Sequence, residues 1–183
     1  MAATSTSPTH AADAAPSAWV QRWAPLIPRA GRVLDVACGY GRHARYLAAR
    51  GHAVVAADRD ADALATLARV TGITTRHVDL EAGAWPWPDA TFAGIVVTRY
   101  LYRPLLPHLV DAVANGGVLI YETFAAGNER YGRPNNPAFL LRPGELLEAV
   151  RGRLRVKAYE DVCVDTPRPA MLQRVCAVRE PAA

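Results

Sequence analysis

The sequence has almost no lysine: of its 21 basic residues, only Lys157 is not an arginine. The formal net charge of +4 is mild, and the arginine bias accompanies an abundance of alanine, which is typical of codon composition as much as of function. Charge alone therefore does not predict a nucleic-acid partner.

Cysteine is also scarce. The three cysteines, Cys38, Cys163 and Cys176, form no C-x-x-C pair and no metal-ligand spacing, so the sequence predicts neither a disulfide framework nor a metal site. This usage suits a reducing cytoplasm, which is the location we predict. Cys163 and Cys176 fall in the last two predicted strands, where a cross-strand pair is the alternative to the two buried thiols that we expect.

Long apolar runs are absent as well. No run reaches the roughly 18 residues that a membrane-spanning helix needs, so no membrane partner is expected. Residues 1–16 have neither the basic nor the apolar segment of a signal peptide, and their small polar composition predicts a disordered tail. Residues 17–183 are then predicted to form a single domain.

What the chain does have is an alternation of apolar strands and short helices, which predicts an α/β fold with a parallel sheet and right-handed crossovers. After a short helix that begins near Ser17, the predicted strands are 32–37, 52–58, 73–79, 92–98 and 118–123, and the helices between them are 41–50, 59–70 and 104–117.

The C-terminal part departs from this alternation. A turn-rich stretch, 125–142, is long for a connection, and such loops are usually functional or disordered; its aromatic and leucine residues favour order. A helix over 143–152 follows, and then two strands over 153–164 and 170–180. The short link between these strands permits only an antiparallel hairpin.

The first predicted strand leads into a glycine turn that is typical of a nucleotide-type cofactor site. Gly39, Gly41 and Ala44 fit G-x-G-x-x-A, which indicates a dinucleotide. Asp35, four residues before Gly39, indicates otherwise, because a carboxylate repels a pyrophosphate but attracts a cation. S-adenosylmethionine carries a sulfonium and an ammonium group and no phosphate. The acid therefore favours S-adenosylmethionine as the cofactor.

With these motifs the chain resembles the class I S-adenosylmethionine-dependent methyltransferases from Arg32 to Arg179. The resemblance lies in Asp35–Gly41, in the acids Asp58 and Asp79 after the second and third strands, and in the double glycine of "VANGGVLIYET". The segment "YETF…NERYG…NP.FLLRPGEL" is similar to small bacterial, tellurite-resistance-protein-like methyltransferases. The resemblance implies a Rossmann-like, seven-stranded, mostly parallel sheet with an antiparallel C-terminal strand and helices on both faces.

The resemblance also implies roles for the acids. Asp35 would bind the ligand's ammonium group, Asp58 both ribose hydroxyls and Asp79 the adenine amino group. The full predicted cofactor set is Asp35, Ala37, Cys38, Gly39, Gly41, Asp58, Arg59, Asp79, Leu80, Thr98 and Arg99. Helix capping is the alternative for Asp35 and Asp58, a plain turn for the two glycines, and a solvated side chain for Arg59.

The acceptor is expected beside the end of the fourth strand. We predict that Tyr100 and Glu122 are catalytic and border the methyl-transfer point, and that Arg99 or Arg130 holds an anionic part of the acceptor. The stretch 125–142 would form a lid over it. The predicted acceptor-binding set is Tyr102, Arg130, Tyr131, Asn135 and Phe139; simple packing under the loop is the alternative for the tyrosines, and His43 and His108 are expected to be structural.

The predicted function is methyl transfer from S-adenosylmethionine to a small molecule by in-line displacement. The chain lacks the D/N-P-P-Y/F sequence of amino-methylating enzymes that act on adenine or glutamine, and the Pro-Cys nucleophile of cytosine-C5 enzymes. The alternatives are a non-catalytic S-adenosylmethionine-binding regulatory protein and an NAD(P)-dependent oxidoreductase, which would lack a Tyr-x-x-x-Lys pair. The sequence names neither the acceptor atom nor the oligomeric state.

Overall fold

The structure, a computed structural model, describes residues 15–166 and 168–181, so that most of the predicted tail lies outside the described residues. The strands are β1 (Arg32–Val36), β2 (Ala53–Asp58), β3 (Ile73–His77), β4 (Phe92–Thr98), β5 (Val113–Phe124), β6 (Arg155–Val164) and β7 (Ala170–Val178). The α-helices are α1 (Ala18–Trp23), α2 (Arg42–Ala49), α3 (Ala61–Ala65), α4 (Leu106–Asp111) and α5 (Glu145–Val150).

The strands form one seven-stranded sheet in the order β3-β2-β1-β4-β5-β7-β6. Strands β1 to β5 pair in parallel, whereas β7 runs antiparallel to both β5 and β6. The predicted fold class and the antiparallel hairpin are therefore confirmed. The strand order reverses between β1 and β4, and open parallel sheets bind ligands at such a switch point.

Two hydrophobic clusters cover the two faces of the sheet. Alternate residues of a strand face opposite sides, and Leu34 of β1 belongs to one cluster while its neighbour Val33 belongs to the other. The first cluster packs under α4 and α5, and the second under α1, α2 and α3. Burial on both faces explains why these strands read as continuous apolar runs.

The helix predicted over 59–70 was too long. Helix α3 ends at Ala65, and turns follow it to the start of β3. The hydroxyl of Thr66 donates to the carbonyl oxygen of Ala63 at 2.7 Å, a local bond that competes with continuation of the helix. Leu67 is fully buried, so this stretch still packs against the core.

The helix predicted over 104–117 was wrong in its second half. Helix α4 ends at Asp111, and β5 begins at Val113, which pairs with Phe92. The double glycine lies inside this strand, where the pairing with β4 is irregular. A Cβ on Gly117 would lie 2.8 Å from the carbonyl oxygen of Ala114, so the bulge requires glycine there.

The expectation that Cys163 and Cys176 are both buried is wrong for Cys163, and the alternative cross-strand pair is not found either. Cys163 faces Met171 across the hairpin and is exposed, whereas Cys176 faces Ala158 and is buried. In α1, Trp19 and Val20 are buried against the core, whereas Gln21 and Arg22 are exposed.

Candidate functional site

The ends of β1 and β4 lie side by side at the switch point, and both continue in an unusual backbone conformation. Ala37 follows β1 with φ of 51°, and Arg99 follows β4 with φ of 54°. Within the described part of the chain, these are the two residues other than glycine with positive φ. Strained backbone of this kind clusters at functional sites.

The glycine turn after β1 has two glycines with different roles. A Cβ on Gly39 would meet no protein atom within 4 Å, so its face is open to a ligand. A Cβ on Gly41 would lie 2.5 Å from Cδ1 of Leu67, and its φ is 74°. Packing against Leu67 therefore requires glycine at position 41, and the cofactor role of the two glycines stays a prediction.

A pocket of about 230 Å³ lies beside this turn at the ends of β1 to β4. It is lined by Ala37, Asp58, Arg59, Val78, Asp79, Leu80, Glu81 and Tyr100. Five residues of the predicted cofactor set thus line one pocket. Val78 and Glu81 were missed because a valine and a glutamate carry no distinctive pattern, although both flank the predicted Asp79 and Leu80.

The carboxylate of Asp58 joins β2 to the glycine turn. Its Oδ2 accepts from the amide of Gly39 at 2.7 Å, and its Oδ1 accepts from the amide of Asp60 at 2.9 Å. The cap of α3 is Asp60, whose side chain accepts from Ala63, so the capping alternative for Asp58 does not hold. Each carboxylate oxygen can accept two hydrogen bonds and here accepts one from the protein, so Asp58 retains the capacity to accept hydrogen bonds from a ligand in the pocket.

Asp35 lies in β1 beneath the glycine turn and is 1% exposed. Burial raises the pKa of this carboxyl to about 7, while the amide of Ala44 and the charge of Arg42 lower it. Its Oδ2 has no hydrogen-bond partner among the described residues. The amide of Ala44 that lowers the pKa of Asp35 lies in the first turn of α2, so Asp35 also faces the start of this helix. A helix-capping role for Asp35 therefore remains an alternative.

Tyr100 follows Arg99 but turns its side chain into the cofactor pocket. Its hydroxyl is buried and finds no partner among the described residues. Burial, followed by the charges of Glu81 and Asp79, raises the pKa of Tyr100, so the hydroxyl stays protonated at neutral pH and can donate a hydrogen bond to a ligand. Tyr102 lies close by, with its hydroxyl 3.4 Å from the carbonyl oxygen of Glu81.

His43, in the first turn of α2, lies at the other end of the site and is 2% exposed. Its Nε2 accepts from the amide of Ser17 at 3.1 Å, and its Nδ1 lies 3.3 Å from the hydroxyl of Thr98. Burial, with the charges of Arg42 and Arg99, lowers the pKa of His43 to about 3. The imidazole is therefore neutral and orders Ser17 and Thr98, which agrees with its expected structural role.

Glu122, near the end of β5, is engaged in a buried charge network. Its Oε2 lies 2.6 Å from Nε of Arg174, an ion pair without the direction of a hydrogen bond, and its Oε1 accepts from the hydroxyl of Ser17 at 2.8 Å. Arg174 also bonds Glu160 of β6 at 2.9 Å. Glu122 and Tyr100 thus have different surroundings, and their catalytic roles stay predictions.

A groove of about 430 Å³ opens on the other side of the Arg99–Tyr100 segment. It is lined by Arg99, Phe124, Arg133, Pro134, Asn135, Asn136, Phe139 and Arg168. Of the predicted acceptor-binding set, Asn135 and Phe139 line this groove. Arg130 and Tyr131 do not, and the hydroxyl of Tyr131 lies 3.3 Å from Sγ of Cys163 instead.

S-adenosylmethionine fits the residues of the pocket. The buried Oδ2 of Asp35 lacks a partner among the described residues, and so does the hydroxyl of Tyr100. Gly39 presents an open face, and acids outnumber the single Arg59 in the lining, as a cationic ligand requires. In the described part of the chain, no His, Cys, Asp and Glu group has a metal-binding arrangement, and no helix is long and apolar enough to cross a membrane.

Comparison with known proteins finds a family match in the part of the chain that contains the pocket. The family described as "Methyltransferase domain" matches residues 33–117, from β1 to the double glycine of β5. A curated relative, the protein-L-isoaspartate O-methyltransferase of Chlorobaculum tepidum, is 35% identical over 105 residues, which are 55% of this chain. The match spans 48% of that relative, so the chain covers about half of its length.

Solved structures establish the fold. TehB from Haemophilus influenzae superimposes with a TM-score of 0.71 and 19% identity, over 88% of this chain and 61% of that one. An S-adenosylmethionine-dependent methyltransferase from Mesorhizobium loti gives a TM-score of 0.67 and 20% identity, over 89% and 99% of the two chains. These structures show that the chain has the fold of S-adenosylmethionine-dependent methyltransferases, and the family match covers the part of the chain that lines the pocket.

Proposed function

We propose that this chain transfers a methyl group from S-adenosylmethionine to a small molecule. The observation that carries the proposal is the pair of cavities on either side of Arg99–Tyr100: an acid-lined pocket for the cofactor and a separate groove for an acceptor. A binding protein without catalysis needs only the first cavity. The pocket is lined by the acids Asp58, Asp79 and Glu81, whose carboxylates repel the pyrophosphate of a dinucleotide.

Bound S-adenosylmethionine supplies an already activated methyl group, so the protein's task is to position the acceptor and exclude water. Asp58 and Asp79 accept hydrogen bonds from the nucleoside, and Tyr100 donates its hydroxyl inside the same pocket. The end of β4 separates the pocket from the groove: the hydroxyl of Thr98 lies next to the imidazole of His43, and Arg99 lines the groove. A soft nucleophile needs no base in this arrangement, and a hydroxyl or amine acceptor needs orientation.

The catalytic role predicted for Glu122 is tested by Glu122→Gln. Because Glu122 holds Arg174 and Ser17, we expect the substitution to lower stability more than turnover. The turnover number and the S-adenosylmethionine dissociation constant are measured at a temperature where the variant is folded. A large loss of turnover with intact cofactor affinity would support the predicted catalytic role of Glu122.

The stretch 125–142 is proposed as the acceptor lid. Its ends meet where the amide of Ala126 donates to the carbonyl oxygen of Leu141 at 2.9 Å, as in an Ω-loop. Arg103 fastens it by bonds to the carbonyl oxygens of Ala138 at 2.7 Å and Leu140 at 2.8 Å. Deleting 128–137 should abolish acceptor selectivity and preserve cofactor binding; unchanged activity and substrate range would contradict the lid.

The decisive experiment is detection of S-adenosylhomocysteine when the protein is incubated with S-adenosylmethionine and fractionated metabolite pools. Product that depends on one pool fraction supports the proposal and leads to the acceptor. Tight S-adenosylmethionine binding with no product from any pool would favour a regulatory binding protein, and calorimetric binding of NAD in its place would favour an oxidoreductase. Peptides containing L-isoaspartate are included because the curated relative is named for that acceptor. A cytoplasmic location belongs to the proposal and is supported by the three free cysteines.

A further inference from the structure

The groove beside the cofactor pocket combines positive charge with aromatic surface. Arg99 enters it from the end of β4, Arg133 from the loop 125–142, and Arg168 from the link between β6 and β7. Phe124 and Phe139 supply apolar walls, and Phe139 is 51% exposed. Three separate segments of the chain thus contribute arginines to one largely apolar groove.

These three arginines lack the ion pairs that several other arginines of the described residues form. Arg103 and Arg174 form ion pairs with Glu145 and Glu122, and several surface arginines pair with acids as well. Arg99, Arg133 and Arg168 form no ion pair and no side-chain hydrogen bond with the residues that the structure describes. The groove lining includes no acid. Mutual repulsion of three cations around one cavity is relieved when an anion enters it.

The groove is also placed to serve the cofactor site. Arg99 and Tyr100 are consecutive, and positive φ at Arg99 sends these two side chains into different cavities. Arg99 lies close enough to His43 to lower the pKa of that imidazole, so it reaches the end of the site formed by α2 and Thr98. A ligand in the groove therefore has one end at Arg99, next to the cofactor, and the other towards Arg133 and Arg168.

Resting on the proposed function, we propose that the acceptor is an organic anion: a planar apolar or aromatic body that carries a carboxylate or another oxyanion. Phe124 and Phe139 pack against the body. Guanidinium groups bind the oxyanion, because their paired N–H donors match its geometry. A neutral molecule of the same shape leaves the three guanidinium groups without a partner, and a cationic one is repelled. The groove thus selects acceptors by charge as well as by shape.

The test uses three probes of nearly the same shape: 2-naphthoate, 2-naphthylmethanol and 2-naphthylmethylammonium. The full chain is saturated with S-adenosylhomocysteine, and each probe is titrated by calorimetry. We expect naphthoate to bind at least about tenfold more tightly than the alcohol, since each charge-assisted hydrogen bond is worth more than a kcal/mol, and we expect no binding of the ammonium probe. Equal affinity for the carboxylate and the alcohol would overturn the inference.

Variants locate the site. Arg133→Gln and Arg168→Gln should each weaken naphthoate binding by about fivefold to tenfold and leave the affinity for the alcohol unchanged. Arg69→Gln is the matched control, because Arg69 is exposed and lies outside the groove while its loss changes the net charge equally. A control variant that weakened naphthoate as much as the groove variants would overturn the inference, since the effect would then be long-range charge.

The outcomes also separate this inference from the proposed function. Failure of S-adenosylhomocysteine to bind would contradict the proposed methyltransferase function. Normal S-adenosylhomocysteine binding without discrimination among the probes would contradict only the proposed class of acceptor. A single-stranded oligonucleotide is titrated in parallel. If it displaced naphthoate and lost affinity in both groove variants, the groove would be a nucleic-acid surface and the small-molecule inference would be wrong.

Discussion

The two cavities of this protein differ in charge, in origin and in how their residues are held. The cofactor pocket is lined by acids and lies wholly within the segment that matches the methyltransferase family. The groove is lined by arginines and, except for Arg99, lies outside that segment. Adjacent cavities of opposite charge suit the proposed pairing of a cationic cofactor with an anionic acceptor, and the family match covers only the first cavity.

The difference extends to hydrogen bonding. Asp58 is fixed by the amides of Gly39 and Asp60, so that its carboxylate is preorganised before a ligand arrives. Arg133 and Arg168 have no such partners within the described residues, although Asn128 anchors the loop 125–142 by accepting from the amide of Met171 at 3.2 Å. The acids of the pocket are therefore held in place more firmly than the arginines of the groove.

The largest expected effect concerns the acid pocket. Asp58→Ala should weaken S-adenosylmethionine binding by about 2–4 kcal/mol, because two charge-assisted hydrogen bonds to the ribose and the support of Gly39 are lost. Isothermal titration measures the change. Asp62→Ala, an exposed acid in α3, is the control and should bind normally. Wild-type affinity in Asp58→Ala would place the ribose elsewhere.

A second prediction follows from the buried acid beneath the pocket. Asp35 keeps its proton up to about pH 7 when folded, whereas its ordinary pKa is 3.8, so the folded state loses stability as the pH rises between these values. The free energy of unfolding should fall by about 2–3 kcal/mol from pH 5 to pH 8 on this account.

Urea titrations of the wild type and of Asp35→Asn across that range isolate the contribution, because the amide cannot ionise. We expect the variant to be the more stable of the two at pH 8 and to bind S-adenosylmethionine less tightly. Parallel stability curves for the two proteins would show that Asp35 is ionised throughout in the folded chain.

The third prediction concerns the charge network behind the groove. Arg174→Met should lower the free energy of unfolding by about 2 kcal/mol, since it leaves Glu122 and Glu160 next to each other without their shared cation. The partial exposure of Arg174, 18% of its side chain, keeps the effect below that of a fully buried pair. Adding Glu122→Gln to this variant should recover part of the loss; a double variant as unstable as the sum of both single variants would mean that the two residues are uncoupled.

The smallest expected effect is at the start of α1. The hydroxyl of Ser17 caps the helix by accepting from the amides of Trp19 and Val20, and it also donates to Glu122. Ser17→Ala should lower stability by about 1 kcal/mol, and Ser17→Thr should retain most of it. Thermal denaturation distinguishes them. Equal melting temperatures for the wild type and Ser17→Ala would mean that this contact contributes nothing.

The sequence predicted the cofactor half of the site better than the acceptor half, for a physical reason. Asp58 and Asp79 are placed by strand ends, and strands are visible as apolar runs with fixed spacing. The groove is assembled from a loop, a hairpin link and one strand end, and no local pattern reports that Arg133 and Arg168 converge. Arg130 was predicted in place of Arg133 because direction along a loop cannot be inferred from spacing.

The errors in secondary structure have the same origin. Val113 fits a helical apolar face as well as it fits a strand, and only its pairing with Phe92 decides between them. Thr66 ends α3 by a side-chain bond that propensity alone does not reveal. Tertiary contacts and side-chain bonds override local preference in both cases.

The position of β7 has a consequence for how the molecule is made. Because β7 lies between β5 and β6, the penultimate strand has no neighbour to join until residues 170–178 have left the ribosome. Arg174 lies on that same strand, so the carboxylate of Glu122 has no counter-ion from β7 until this strand has been made. A nascent chain can pair β1 to β5 first, and it completes the sheet only once β7 is available to join β5 to β6.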